Sequence, residues 1–213
     1  MLTVTTAATS TNLTTLDAVK DDLGLTSTDE DDYIESLIER VSLDICGIVG
    51  AAVAEDGTVT LGRETLVKTF RLNGAYSKLL LPRAPTVSIT SVVADGDTLV
   101  AADYEVSKVS GLLTQLSDDD PISWDNDKVV VTYVAGWLLP DDTGRNLPLD
   151  IEAAAIALVK LARFNRTRDP TLKSENILEG LYSYQLFAPD DFKSGVPVDI
   201  MQKLNRYRLI TAN

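Results

Sequence analysis

The chain has 213 residues, of which 45% are hydrophobic, and its 32 acidic and 19 basic residues give a formal net charge of −13. This length and composition are typical of a folded chain with one domain and an insertion, or with two small subdomains. An acidic excess of this size disfavours a general nucleic-acid-binding surface, because phosphate binding depends on clustered Lys and Arg.

No apolar run approaches the roughly 20 residues that span a bilayer, and the first residues lack the basic and apolar regions of a secretory signal. We therefore expect a soluble, unexported protein. Cys46 is the sole cysteine, so it cannot form an internal disulfide. It lies among aliphatic residues of a predicted helix, where a buried, inert thiol is expected rather than a nucleophile.

The N-terminal part is predicted to contain a flexible arm over residues 1–12 and a helix pair over residues 13–54. The arm is rich in Thr and has no hydrophobic period. Thr14 with Asp17 resembles a capping box for a short first helix that stops at Gly24, and Ser27 with Glu30 repeats the signal. The second helix is predicted by an apolar stripe at a 3.6-residue period, formed by Tyr33, Ile34, Leu37, Ile38, Val41, Ile45 and Ile48.

Residues 55–140 are predicted to form an antiparallel β region. The dipeptides Asp56-Gly57, Asn73-Gly74 and Asp95-Gly96 are turn signals, and Val, Ile, Thr and Tyr dominate between them. The predicted strands are Val59–Leu61, Val67–Leu72, Lys78–Leu81, Ile89–Val93, Tyr104–Val106 with Leu112–Leu113, and Val129–Val134, with Leu99–Val100 as an additional short one. Because the strands are short and joined by turns, no parallel nucleotide-binding fold is expected.

Residues 141–213 are predicted to contain C-terminal helices that complete the helical part, together with a docking segment. Pro148 is well placed to begin a long helix, and Pro170 would stop it. An irregular aromatic stretch then leads to a last helix from Pro197 to about Arg208. The fold class predicted from these elements is α+β, a small helical bundle with an inserted antiparallel β region.

The sequence offers no recognisable catalytic chemistry. It contains no His, which excludes Ser-His and Cys-His nucleophilic systems and every His-containing metal site. The two common phosphate-binding glycine motifs are absent. The acidic runs at residues 29–32 and 118–120 lack the alternating ligand spacing of a calcium loop. We therefore expect no catalytic residue, no metal site and no cofactor.

Several segments, taken in order, carry a resemblance to a known family. They are the opening helix pair Leu16–Leu25 and Asp29–Ile34, the β-region motifs Leu81–Pro85, Asp103–Val106, Gly111–Leu113 and Val131–Gly136, and the terminal segment Val196–Arg208. Together they resemble the β-containing branch of the head-tail connector, or head completion, proteins of tailed bacteriophages.

The resemblance implies a structural, non-enzymatic virion protein at the head-tail interface, present in the host cytoplasm during assembly. It implies a homo-oligomeric ring, a dodecamer, below the portal protein. Double-stranded DNA would pass through this ring without specific binding, and a tail-side stopper or terminator protein would attach to it; no membrane is implied. A second interpretation stays open at this stage, an acidic hydrolase or carbohydrate-binding module that uses the β region.

Two sets of residues are candidate functional surfaces. Aromatic residues without a clear period are favoured anchors at protein interfaces, and the last helix combines apolar and basic residues in an otherwise acidic chain. The predicted portal-docking residues are Tyr184, Phe187, Phe192, Ile200, Lys203, Leu204, Arg206, Tyr207 and Arg208. The predicted channel-facing residues, which would repel DNA phosphates, are Asp29, Glu30, Asp31, Asp32, Asp118, Asp119 and Asp120.

Overall fold

The structure, a computed structural model, describes residues 1–166, 192–193 and 196–208. The helices are α1 (Leu16–Leu23), α2 (Asp31–Val49), α3 (Leu149–Arg166) and α4 (Val198–Asn205). The strands are β1 (Leu2–Thr6), β2 (Glu64–Arg71), β3 (Leu79–Leu80), β4 (Thr86–Ala94), β5 (Asp97–Thr98), β6 (Tyr104–Val106), β7 (Leu112–Ser117), β8 (Asp120–Ile122), β9 (Lys128–Ala135), β10 (Phe192–Lys193) and β11 (Val196–Pro197). The predicted α+β class is confirmed.

The four helices enclose one hydrophobic core. The apolar stripe of α2 faces α3, and α4 packs against both helices. The buried residues of this helical core include Ile34, Leu37, Ile38, Val41, Ile45, Cys46, Ile151, Ala155, Val159, Ile200 and Leu204. The helix ends follow local chemistry, because Thr15 Oγ1 accepts a hydrogen bond from the Ala18 N–H and Gly24 and Gly50 adopt left-handed conformations. The cap of α1 is therefore Thr15, one residue after the predicted Thr14.

The β region consists of two antiparallel sheets around a second core. The larger has the strand order β1-β2-β9-β4-β5, and the smaller has the order β3-β7-β6, with β8 also paired to β7. The central pair β2 and β9 runs in unbroken register from Glu64 opposite Ala135 to Arg71 opposite Lys128. This sheet core contains Leu66, Leu79, Leu81, Val92, Leu113, Trp124, Val129, Val131 and Tyr133.

The N-terminal residues differ from the predicted flexible arm. Leu2–Thr6 forms β1, which pairs with β2 in antiparallel register. The following residues are also anchored, because the Thr9 hydroxyl donates to the Asp142 carboxylate and the Leu13 N–H donates to Ser42 Oγ. The alternation of Leu2 and Val4 with Thr is a strand pattern that is too short to show a period by itself.

Two predicted strands are also corrected. Residues 59–61 form no strand, because the carbonyl oxygens of Thr58 and Thr60 accept hydrogen bonds from the Arg83 guanidinium instead of from a partner strand. The strand predicted at Leu99–Val100 lies earlier, at β5. Asp95 and Gly96 both have positive φ, which makes a two-residue hairpin loop and brings β5 immediately onto β4. Within the described residues, no helix is long and apolar enough to cross a membrane.

Candidate functional site

A buried ion pair lies where the β region meets the helical part. Glu64, the first residue of β2, and Arg83, which precedes β4, are only 2% and 4% exposed. Arg83 Nη1 lies 3.1 Å from Glu64 Oε2, and Arg83 Nη2 donates to the Thr58 carbonyl at 3.0 Å. Burial raises the pKa of the Glu64 carboxyl above its ordinary value, and the Arg83 charge opposes this shift. A carboxylate with a perturbed pKa can mark an active site, but this pair offers almost no surface to a substrate. Its geometry is that of a brace between the Thr58–Thr60 segment and the sheet.

A close backbone contact joins the same two regions. Gly136 has a φ of 99°, and a Cβ added there would lie 2.2 Å from the Gly62 carbonyl oxygen. The Gly136 N–H donates to Pro85 O, and the next residue, Trp137, donates its N–H to Leu61 O. The Ala135-Gly136-Trp137 sequence therefore ends the sheet where Trp137 packs against the helical core.

The lone thiol has no reactive character. Cys46 is 1% exposed on the inner face of α2. Burial raises the pKa of this thiol to about 11, which keeps it protonated and poorly nucleophilic. Cys46 is therefore a core residue, as predicted.

Two of the four residues of the first predicted acidic run form ion pairs inside the protomer. Lys20 Nζ lies 2.6 Å from Asp31 Oδ1, and Arg163 binds the Glu30 carboxylate through both Nε and Nη2. Asp29 exchanges hydrogen bonds with Ser27 just before α2 begins. Asp32 is exposed in the first turn of α2. The two ion pairs of this run join α1 and α3 to the start of α2.

The second predicted acidic run has a different environment. Asp118 and Asp119 form the tight turn between β7 and β8, both with positive φ, and Asp120 begins β8. All three are exposed, and none has an ion-pair partner among the described residues. In the part of the chain that the structure describes, no group of three or more His, Cys, Asp or Glu residues is arranged to hold a metal ion.

The predicted docking residues are divided by the structure. Ile200 and Leu204 are buried in the helical core and hold α4 to the body of the protomer. Because these two residues are buried there, the apolar face of α4 is explained by packing within the protomer and needs no partner protein. Tyr207 and Arg206 contact the Asp150 carboxylate at the start of α3. Lys203 and Arg208 are exposed. Phe192 lies in β10, which pairs with β11, whereas Tyr184 and Phe187 lie outside the described residues.

Sequence reasoning missed a basic groove at the end of β2. Lys68, Arg71 and Lys78 line it together with apolar side chains. The cations are spaced along a strand and the loop after it, so no local cluster of basic residues reveals them. It also missed the Glu64–Arg83 pair, although Arg83, between two prolines in an apolar segment, is a position where a buried cation could have been suspected.

Comparisons with known proteins identify the family. The family model described as "Head completion protein" matches residues 12–168, so the chain belongs to the head completion protein family. The resemblance noted in the sequence is thus confirmed, and the protein has a structural connector role at the virion head-tail junction. A comparison with curated protein sequences gives no match.

Two solved structures share the fold. One is a chain from "Neck of empty GTA particle computed with C6 symmetry", with 18% identity, a TM-score of 0.58, and coverage of 100% of this chain and 97% of that chain. The other, from "Virion of native gene transfer agent (GTA) particle", has 18% identity, a TM-score of 0.56 and the same coverage. At this identity the likeness shows a shared fold and no more.

Proposed function

We propose that copies of this chain form a closed ring, a dodecamer, between the portal protein and a tail-side stopper or terminator protein. The ring lets double-stranded DNA pass without binding it specifically, and it catalyses no reaction. The observation that carries this proposal is the family match over residues 12–168. Closure of such a ring requires two different, complementary sides on each protomer.

The free protein is expected to be monomeric or weakly associated. A net charge of −13 multiplies around a ring and opposes self-assembly until the portal supplies a template. Sedimentation of the purified chain at moderate salt measures this, and a stable dodecamer without portal would contradict the assembly order.

The portal contact is assigned to the C-terminal segment, residues 183–213. Lys203, Arg206 and Arg208 are exposed in its described part, and of these Arg206 is paired with Asp150. Lys203 lies on α4, which the buried Ile200 and Leu204 fix to the helical core, and Arg208 follows three residues after the end of this helix. Deleting residues 196–213 should abolish portal attachment, but it also empties part of the helical core. A cleaner variant is Lys203→Glu with Arg208→Glu.

This variant should fold normally and lose attachment to portal-bearing heads, as measured by co-sedimentation. Lys108→Glu, a charge reversal at an exposed residue of the β region, is the matched control and should attach as the wild type does. Normal attachment of the Lys203/Arg208 variant would show that the contact lies elsewhere.

The channel surface is assigned to acidic residues, with Asp118–Asp120 better suited than residues 29–32. The turn at Asp118 and Asp119 projects exposed carboxylates, whereas Glu30 and Asp31 already have cationic partners. Carboxylates facing the lumen would repel DNA phosphates and prevent the DNA from adhering. A lumen lined mainly by Lys and Arg would rule this assignment out.

The connector role is tested by producing particles without the chain. Heads should fill with DNA yet fail to join tails, and supplying the wild-type chain should restore joining. Tailed particles of normal yield in its absence would contradict the proposed function.

A further inference from the structure

The groove at the end of β2 combines positive charge with an apolar wall. It has a volume of about 520 Å³ and is lined by the cations Lys68, Arg71 and Lys78 and by Phe70, Leu72, Tyr76, Leu79 and Leu80, among others. Lys128 lies opposite Arg71 in the β2–β9 register, and it lines a separate hollow that shares Arg71 with the groove. None of these four cations has an ion-pair partner within the described residues.

The outer face of α2 carries the opposite combination. Glu35, Glu39 and Leu43 follow one another at four-residue steps, so they form one row, the α2 row, along the helix. All three are exposed, and Leu43 is 55% exposed. Two glutamates four residues apart repel each other, and no cation of the described chain forms an ion pair with either. The nearby Arg40 directs its Nε to the Ser36 carbonyl.

We propose that the α2 row of one copy docks into the β2 groove of the next copy around the ring. The carboxylates of Glu35 and Glu39 meet Lys68, Arg71 and Lys78, and Leu43 meets the apolar wall. The inference rests on the proposed function, because head-to-tail contacts of this kind are those that close a ring.

The α2 row is too far from the β2 groove of its own protomer for the two surfaces to pair with each other. Ala52, just after α2, lines the groove. Glu39 lies eleven residues before Gly50, which places it about 16 Å further up the helix at 1.5 Å per residue, and Glu35 lies about 22 Å away. The two surfaces also cover different cores. Each therefore remains available to a neighbouring copy.

A second copy of this chain fits the groove better than DNA does. Much of the groove wall is apolar, which suits a helix with an exposed Leu and gives nothing to a phosphate backbone. The chain as a whole repels polyanions because of its net charge of −13. A short acidic row, by contrast, brings few charges and places them directly against the cations.

Zero-length cross-linking tests the contact on the wild-type chain. Nitrogen-15-labelled and unlabelled protein are mixed, treated with a carbodiimide and digested, both for the concentrated purified chain and for assembled particles. We expect amide cross-links between Lys68 or Lys78 and Glu35 or Glu39, with mixed isotope labels that prove two copies. Absence of such cross-links in particles that contain the chain would overturn the inference.

A charge exchange tests the pairing itself. The groove variant Lys68→Glu/Lys78→Glu and the row variant Glu35→Lys/Glu39→Lys should each lower the copies incorporated per particle at least tenfold. Their combination in one chain should restore incorporation to within about twofold of wild type. The exposed controls Lys108→Glu and Glu105→Lys should incorporate normally, and circular dichroism checks that every variant folds.

The outcomes separate this inference from the proposed function. If wild-type chain is absent from particles, the proposed function fails, and the cross-links of the purified chain alone decide the contact. If the row variant incorporates normally while the groove variant loses binding to double-stranded DNA, the groove serves nucleic acid and the inference is wrong. If the combined variant stays unincorporated while both single sets fold, the two surfaces do not meet and the inference is also wrong.

Discussion

The helical part and the β region differ in how their cations are paired. In the helical part, several cations pair with carboxylates of neighbouring elements, as Lys20 does with Asp31, Lys160 with Asp22 and Arg163 with Glu30. In the β region, the buried pair of Glu64 and Arg83 is the ion pair found among the described residues. The cations of the β2 groove have no ion-pair partner within the described residues. Within the described residues, the charges without an ion pair include those of the β2 groove in the β region and those of the α2 row, Lys203 and Arg208 in the helical part, which are the surfaces proposed for assembly.

The largest effect should come from the backbone contact that joins the two regions. Gly136→Val places side-chain atoms against the Gly62 carbonyl in a left-handed conformation, and we expect a loss of more than about 4 kcal/mol in the free energy of unfolding. Gly144→Ala is the control, because its φ is also positive but no atom lies within 4 Å, and it should cost about 1 kcal/mol. If urea denaturation gives the same loss of stability for both variants, the contact between Gly136 and the Gly62 carbonyl is not close.

Removing one partner of the buried Glu64–Arg83 ion pair should strongly destabilise the protein. Arg83→Met leaves Glu64 buried and uncompensated, which should lower the free energy of unfolding by about 3–5 kcal/mol. Adding Glu64→Leu should recover most of this loss, because the remaining charge is removed as well. A double variant as unstable as Arg83→Met would show that the guanidinium acts mainly through the Thr58 and Thr60 carbonyls.

A buried and an exposed leucine allow the inner and outer faces of the helical part to be compared by their effect on stability. Leu204→Ala opens a cavity in the helical core and should cost about 2–5 kcal/mol. Leu43→Ala removes an exposed side chain and should change the free energy of unfolding by less than about 0.5 kcal/mol. Chemical denaturation measures both, and a large cost at Leu43 would mean that α2 packs differently from the structure.

The smallest effect is a dependence on pH. The pKa of Glu64 is raised in the folded protein, so the folded state binds its proton more tightly than the unfolded state does. The contribution of this group to stability is complete below the ordinary Glu pKa and is lost as the pH rises through the raised one. Arg83→Met removes the opposing charge, so its stability should fall more steeply over that interval than the stability of the wild type. Parallel pH profiles would contradict this assignment.

The elements with a strong period could be predicted from the sequence, whereas contacts across the chain could not. The α2 stripe and the Val129–Val134 run showed a helix and a strand directly, because burial imposes their periods. Strand β1 was missed because its partners in β2 lie 59–66 positions further along the chain. The buried ion pair joins residues 19 positions apart and the groove cations lie on a strand and the loop after it, so neither shows a local pattern in the sequence.

Electron microscopy of particles that contain this chain tests the connector role most directly. We expect a closed ring of density at the head-tail junction into which the protomer fits, with α4 directed to the portal and the α2 row of each copy against the β2 groove of its neighbour. Density for the chain at another place in the particle, or as isolated copies without contact between neighbours, would contradict the ring.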